Sequence, residues 1–344
     1  MRLSAAAVVF LAHLSYPRFG GEALATLGPL AHSAVVVFFV LSGFVIAWAA
    51  ARDGNTVDYA TARAARIYSV ALPALALTFA LDIATGNTNY QHEHPWKYLP
   101  LFVTFTTDWW FLNENAFSNV PYWSLSYEVW YYVVFGIIFF GRSRWRFVLA
   151  SAIMLLAGPR LWLLFPIWLL GTALHWFPDI PRPRLMLISA VLGILAVKVT
   201  GIEVALNDTF NVALDGFAKE HLRYSQYVLG DYLFAGFIAL AILAARSADL
   251  RALDRYRAPI AVAASVSFSL YLIHYPLLLT FSHIFPGDPL AIGAATLVGV
   301  VVFGIVFERN KRVARYVVSM VLLPFRYNLQ AKAHGLAFSK KDAA

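Results

Sequence analysis

Two ionisable residues mark the start of the chain. Arg2 and His13 stand eleven residues apart, bracketing an apolar run. On a helix that spacing is about 16 Å along the axis. In a hydrocarbon core about 30 Å thick, Arg2 would then lie at one surface and His13 beyond the midplane. A guanidinium is a fork for phosphate oxygens. An imidazole titrates near neutral pH and serves as a general base or as a covalent carrier. The pair suits an anchored donor with a long flexible arm, its phosphates at Arg2 and its reactive end at His13.

Other segments carry chemistry of the same kind. "ATARAARIY" holds Arg63 and Arg66, one helical turn apart on one face. Two such forks suit phosphates, and they equally suit an anchor on lipid headgroups. "PYWSLSYEVWYY" sets Glu128 about two turns into a helix that begins near Pro121, at a depth close to that of His13. A carboxylate beside an imidazole fixes its tautomer and raises its basicity. Trp123, Trp130, Tyr131 and Tyr132 in the same segment fit an interfacial aromatic belt, and Ser124 and Ser126 read as backbone partners. "FFVLSGFVIAW" contains Ser42 and Gly43 without a nucleophile-elbow pattern, so it reads as close helix packing. "SFSLYLIHYPLLL" puts His274 just before Pro276, open to a catalytic, a substrate-binding or a structural role. The H-x-H of "QHEHP" (His92, Glu93, His94) is a weak metal signal, and no metal site is expected. A charged residue at mid-helix in a bilayer costs about 2.5–3.5 kcal/mol. His13, Glu128 and His274 within apolar runs, with Asp82 and Asp231 near run ends, therefore point together to a polar interior site.

The elements that must hold these residues are membrane helices. The chain is 60% apolar and 13% charged, where a soluble domain carries about 25% charged residues. Runs such as "AVVVFFVLSGFVIAWAAA" do not alternate with the period of two that a barrel strand needs. The expectation is an all-α polytopic protein of about ten transmembrane helices, near 3–18, 30–51, 67–84, 122–140, 147–158, 160–176, 185–200, 228–245, 259–284 and 289–307. The first run reads as a retained helix, because it lacks a small-residue cleavage site and carries His13 and Pro17. There is no cysteine, which excludes disulfide and thiolate chemistry. Of 27 Lys and Arg, 21 fall in the termini and alternate loops on one side of this layout. The positive-inside bias puts both termini in the cytoplasm. Residues 98–112 would place "GRSRWR" outside if they crossed. They are expected to be a re-entrant segment with a cavity beside it. The membrane unit is expected over 1–307, and a basic cytoplasmic tail, suited to anionic lipid, over 308–344.

Arg2 with His13, "FFVLSGFVIA", "RAAR" followed by "IYSVALP", "WSLSYEVWYY" and "SFSLYLIHYPL" occur in this order over residues 2–276. In that order they resemble the acyltransferase-3 family of integral-membrane O-acyltransferases. The resemblance implies ten transmembrane helices, a re-entrant segment and a cytosolic acyl-CoA donor, acetyl-CoA by default. It implies acceptors among surface polysaccharides, lipopolysaccharide, peptidoglycan or other glycosylated molecules. The family's functional histidine maps to His13, and its arginines map to Arg2, Arg63 and Arg66. Its glutamate maps to Glu128, although Val129 and Trp130 depart from the usual polar neighbours. The reading is an O-acetyltransferase of the inner (plasma) membrane with His13 and Glu128 catalytic. Arg2, Arg63 and Arg66 bind the donor, and His274 and Trp123 bind the acceptor. The expected partners are acyl-CoA, a glycan or lipid-linked glycan, and membrane lipid. No nucleic acid and no permanently bound cofactor are expected.

Two other classes fit the same composition. A transporter or flippase of a glycolipid or other amphiphile would line its path with these polar residues. A non-catalytic scaffold for glycan assembly would tolerate loss of His13. The charge asymmetry gives a direct test of topology. Reporters fused at Ala344 and inserted in the 141–146 loop should both read cytoplasmic, and a periplasmic signal at Arg144 would mean that residues 98–112 cross the membrane.

Overall fold

The computed structural model describes residues 1–248, 251–310, 312 and 314–320. Most of the expected tail, from 321 onward, lies outside the described residues. Among them no named strand forms, and helices account for most of the chain. The class is that of an all-α membrane protein.

The helices in order are α1 (Arg2–Leu14), α2 (Leu30–Asp53), α3 (Thr56–Thr85), α4 (Tyr90–Glu93) and α5 (Pro95–Thr104). Then follow α6 (Trp123–Phe140), α7 (Trp145–Ala157), α8 (Pro159–Ala173), α9 (Pro183–Thr200) and α10 (Ile202–Ala213). The series ends with α11 (Phe217–His221), α12 (Val228–Ser247), α13 (Arg257–Ala264), α14 (Ser267–Ile284) and α15 (Pro289–Phe303). Each of the ten expected spans coincides with a helix or a bent helix pair. By length and composition six stretches qualify as spans: Leu24–Asp53, Thr56–Thr85, Val120–Phe140, Pro183–Thr200, Arg223–Ser247 and Pro289–Glu308. A seventh qualifies if the pair bent by 42° before Ser267 counts as one span. The remaining three, α1, α7 and α8, have 13, 13 and 15 residues. At 1.5 Å per residue they reach only about 20 Å, short of the full core.

Local signals set the helix ends. Asn55 accepts from the Asp58 amide at 2.9 Å and opens α3, which closes on Gly86 at φ 70. Asp288 accepts from the amides of Leu290 and Ala291, and Pro289 takes the first position of α15, where no amide is missed. The start of α14 is capped from a distance. The Glu308 carboxylate accepts from Ser269 N and Ser269 Oγ, both at 2.8 Å. Helix α2 lies directly on α8. A Cβ on Gly43 would come within 2.0 Å of the Trp168 carbonyl oxygen, and one on Gly171 within 2.0 Å of that of Val40. The Ser42–Gly43 step thus makes the close contact that its sequence suggested.

Residues 98–112 form no span. Helix α5 ends at Phe105, which adopts the left-handed conformation (φ 56), and the chain turns back. Protein meets its polar groups, as lipid requires. Trp110 N donates to the Ala157 carbonyl at 2.9 Å, and Trp130 Nε1 donates to that of Phe105 at 3.1 Å. Thr107 pairs with Ser126 at 2.6 Å, and Asp108, fully buried, accepts from Arg223 at 2.8 Å. Arg160 donates to the Leu112 carbonyl. The large cavity of the protein meets the chain just past this segment, at Val120, Pro121 and Trp123.

The α2–α8 crossing generates a prediction. Gly43→Ala and Gly171→Ala each drive a methyl into a backbone carbonyl that cannot yield cheaply. Each should cost about 1–3 kcal/mol or more, read as a lowered midpoint of thermal unfolding in detergent. Wild-type midpoints would show that the two helices stand further apart.

Candidate functional site

A cavity of about 900 Å³ opens among α1, α2, α10, α12 and α14. His13 and Tyr16 line it, with Trp123, Tyr224, Tyr271 and His32. Its walls combine aromatic rings with hydrogen-bonding groups. Trp123 stacks on Tyr224 at 3.8 Å between centroids. His32 Nε2 lies 2.8 Å from Asp231 Oδ2. Asn207, Asn211 and Gln226 contribute amides. Such a chamber, mostly apolar with a few convergent polar groups, suits a hydroxylated organic ligand.

His13 sits at one wall in a fixed setting. Its Nδ1 is 2.8 Å from Nε2 of His274, with the rings 20° from parallel. His274 is fully buried, and its Nδ1 reaches the Leu270 carbonyl at 2.8 Å. Tyr275 and Tyr16 meet the His13 ring edge-on, at 5.1 and 5.3 Å. Arg18 donates to the Tyr275 hydroxyl and lies over that ring. This cage arises because α1 packs against both α2 and α14.

On the other side of the protein Arg2 and Arg66 line a cavity of about 420 Å³ with Ser265, Ser267, Glu308 and Arg309. Between the two cavities runs a narrow void of about 30 Å³. It shares Arg2 and Arg66 with one cavity and Val35 and Tyr271 with the other. Glu128 and Ser124 lie in its wall. Tyr271 donates to Ser124 Oγ at 2.7 Å across this waist.

The site residues expected from sequence divide accordingly. His13 and Trp123 share the large cavity, and Arg2 and Arg66 share the opposite one. Glu128 does not partner His13. Its Oε1 accepts from Ser42 at 2.7 Å and from Tyr132, so it belongs to the waist near the arginines. The similar depth expected of the two did not make them neighbours, because α6 presents Glu128 toward α2. His274 takes the partner position instead, behind His13 and away from the cavity surface. Arg63 separates from Arg66. Its guanidinium is 3.6 Å from Asp53 and lies over Tyr59. His92 of the H-x-H is engaged by Asp82 at 3.2 Å and by the helix start at Asn89.

Sequence reading missed His32 as the partner of Asp231, and Arg18, Tyr16 and Tyr275 as the surround of His13. An acidic residue near a span end asks for a buried donor, and His32 at the start of the second apolar run was available as one.

Comparison with known proteins bears on what this arrangement does. The family model described as "Acyltransferase domain" (Acyl_transf_3) matches residues 1–309. The acyltransferase MdmB of Streptomyces mycarofaciens is 31% identical over 143 residues. The match covers 39% of this chain and 36% of that protein's length. No solved structure matches the chain.

Proposed function

The chain belongs to the acyltransferase-3 family, and from that premise we propose that it moves an acyl group, acetyl by default, from cytosolic acyl-CoA to a hydroxyl of an exported or surface glycan. One observation carries the reading. A cavity with two arginines and a cavity with an imidazole meet at a waist that both share. A donor with phosphates at one end and a thioester at the other end of a thin flexible arm has that shape. Arg2 and Arg66 take the phosphates as charge-assisted forks. The arm takes the line of the waist beside Glu128, Ser124 and Tyr271, where parting of the Tyr271–Ser124 hydrogen bond makes room for it. The thioester reaches His13, and the acceptor lies in the large cavity against Trp123 and Tyr224. Aromatic faces and side-chain amides fit a sugar ring with hydroxyls at its edge. His13 acts as general base on that hydroxyl. The positive-inside bias supports a cytoplasmic donor side at Arg2, both termini in the cytoplasm, an inner-membrane location and ten spans.

The assay is release of free CoA thiol from acetyl-CoA by the purified protein in detergent, with and without a glycan acceptor. Mass spectrometry of surface glycans from cells with and without the gene then names the acceptor. Absence of acceptor-dependent thiol release across acyl-CoA chain lengths would sink the proposal.

Two substitutions test the parts. Arg66→Ala should weaken acyl-CoA binding clearly, while Arg63→Ala, whose partner is Asp53, should weaken it less. Equal, wild-type affinity in both would reduce Arg66 to a topology anchor. His13→Asn and His13→Gln should insert and bind acyl-CoA normally yet transfer at least about a hundredfold more slowly, because neither amide takes up a proton near neutral pH. Wild-type rates in either variant would exclude His13 as the base.

A further inference from the structure

We propose that His274 is a positioning residue that holds His13 in one tautomer, with the Nε2 lone pair free for the acceptor hydroxyl. The inference rests on the reading of His13 as general base and gives His274 a role other than substrate contact.

The chain of contacts fixes where each hydrogen sits. The Leu270 carbonyl can only accept, so Nδ1 of His274, at 2.8 Å, carries a hydrogen. A neutral imidazole with its hydrogen on Nδ1 presents a lone pair at Nε2. That atom is 2.8 Å from Nδ1 of His13. Nδ1 of His13 therefore supplies the hydrogen, and Nε2 of His13 is left as the lone pair. His13 lines the large cavity, whereas His274 is fully buried behind it. Without His274 the His13 ring would be free to move its hydrogen to Nε2, the wrong state for a base on that side. The edge-on rings of Tyr16 and Tyr275 limit its rotation.

In the transfer step the acceptor O–H gives its proton to Nε2 of His13. The hydroxyl oxygen bonds to the acyl carbon, and the carbon–sulfur bond of the thioester breaks. The departing thiolate takes the proton back from Nε2. Throughout, Nδ1–H of His13 stays on the His274 lone pair, which stabilises the transient imidazolium and keeps its orientation. A neutral imidazole serves here where soluble hydrolases place a carboxylate, so no second buried charge is needed in the bilayer.

The test is made on the full-length protein in detergent. His274→Leu should lower kcat by about tenfold to a hundredfold, below the full contribution of a general base, with KM for acceptor and acetyl-CoA unchanged. His274→Gln, whose amide oxygen can accept from Nδ1–H, should recover part of the rate. Nitrogen NMR of histidine-labelled wild-type protein should find His13 protonated at Nδ1, and His274→Leu should move the hydrogen to Nε2. A loss confined to acceptor KM would make His274 a substrate contact and overturn the proposal. So would wild-type kcat in His274→Leu while His13→Asn is dead. Finding Nδ1 of wild-type His13 unprotonated overturns it whatever the variants do. An active His13→Asn removes the general-base reading itself, and the positioning role with it.

Discussion

Lipid offers no hydrogen-bond partners, and that constraint organises the whole interior. Each polar group taken below the headgroups must be met by another part of the same chain or by a ligand. The chain meets it by pairing residues far apart in sequence. His13 pairs with His274, Asp231 with His32, Asp108 with Arg223, and Glu308 with the start of α14. The first three tie an earlier helix or loop to a later one, and the fourth ties the chain just past α15 back to α14. The polar contacts therefore fix the relative placement of helices whose apolar surfaces are interchangeable.

Groups that are not consumed in this way stand out against that background. Arg2 and Arg66 line one cavity, and His13, although paired with His274, also lines the other. The two cavities are separated by a waist crossed by the Tyr271–Ser124 hydrogen bond. For an acyl transfer of the proposed kind, such a waist keeps water on the donor side from the thioester. Hydrolysis is the competing reaction for any thioester, and exclusion of water is the protein's means of suppressing it.

Close helix contact supplies the rigidity this geometry needs. The mutual approach of α2 and α8 at Gly43 and Gly171 brings Trp168 to Ser42. Ser42 in turn donates to Glu128. A packing motif and a site carboxylate are thus coupled through one hydroxyl. Likewise Arg160, buried on α8, holds the carbonyls of Leu112 and His221 and stands beside Asp108, so that an irregular segment is fastened at several points.

Sequence alone determined the solvent. A composition of 60% apolar residues in long, non-alternating runs leaves helices in lipid as the economical solution, and each run became a helix. It also determined which residues were too costly to be accidental, because His13, Glu128 and His274 each carry a solvation penalty that a lipid-facing helix has no reason to bear. It could not say which of them meet. Helix spacing gives depth but not azimuth, and two residues at one depth can face different neighbours. Glu128 and His13 were expected at one depth and together, yet α6 turns Glu128 to Ser42 while α14 brings His274 to His13. Arg63 and Arg66 shared a face, yet Asp53, thirteen residues before Arg66, draws one of them aside. Those choices depend on rotations and crossings of helices distant in the chain, a property that exists only once the bundle has packed.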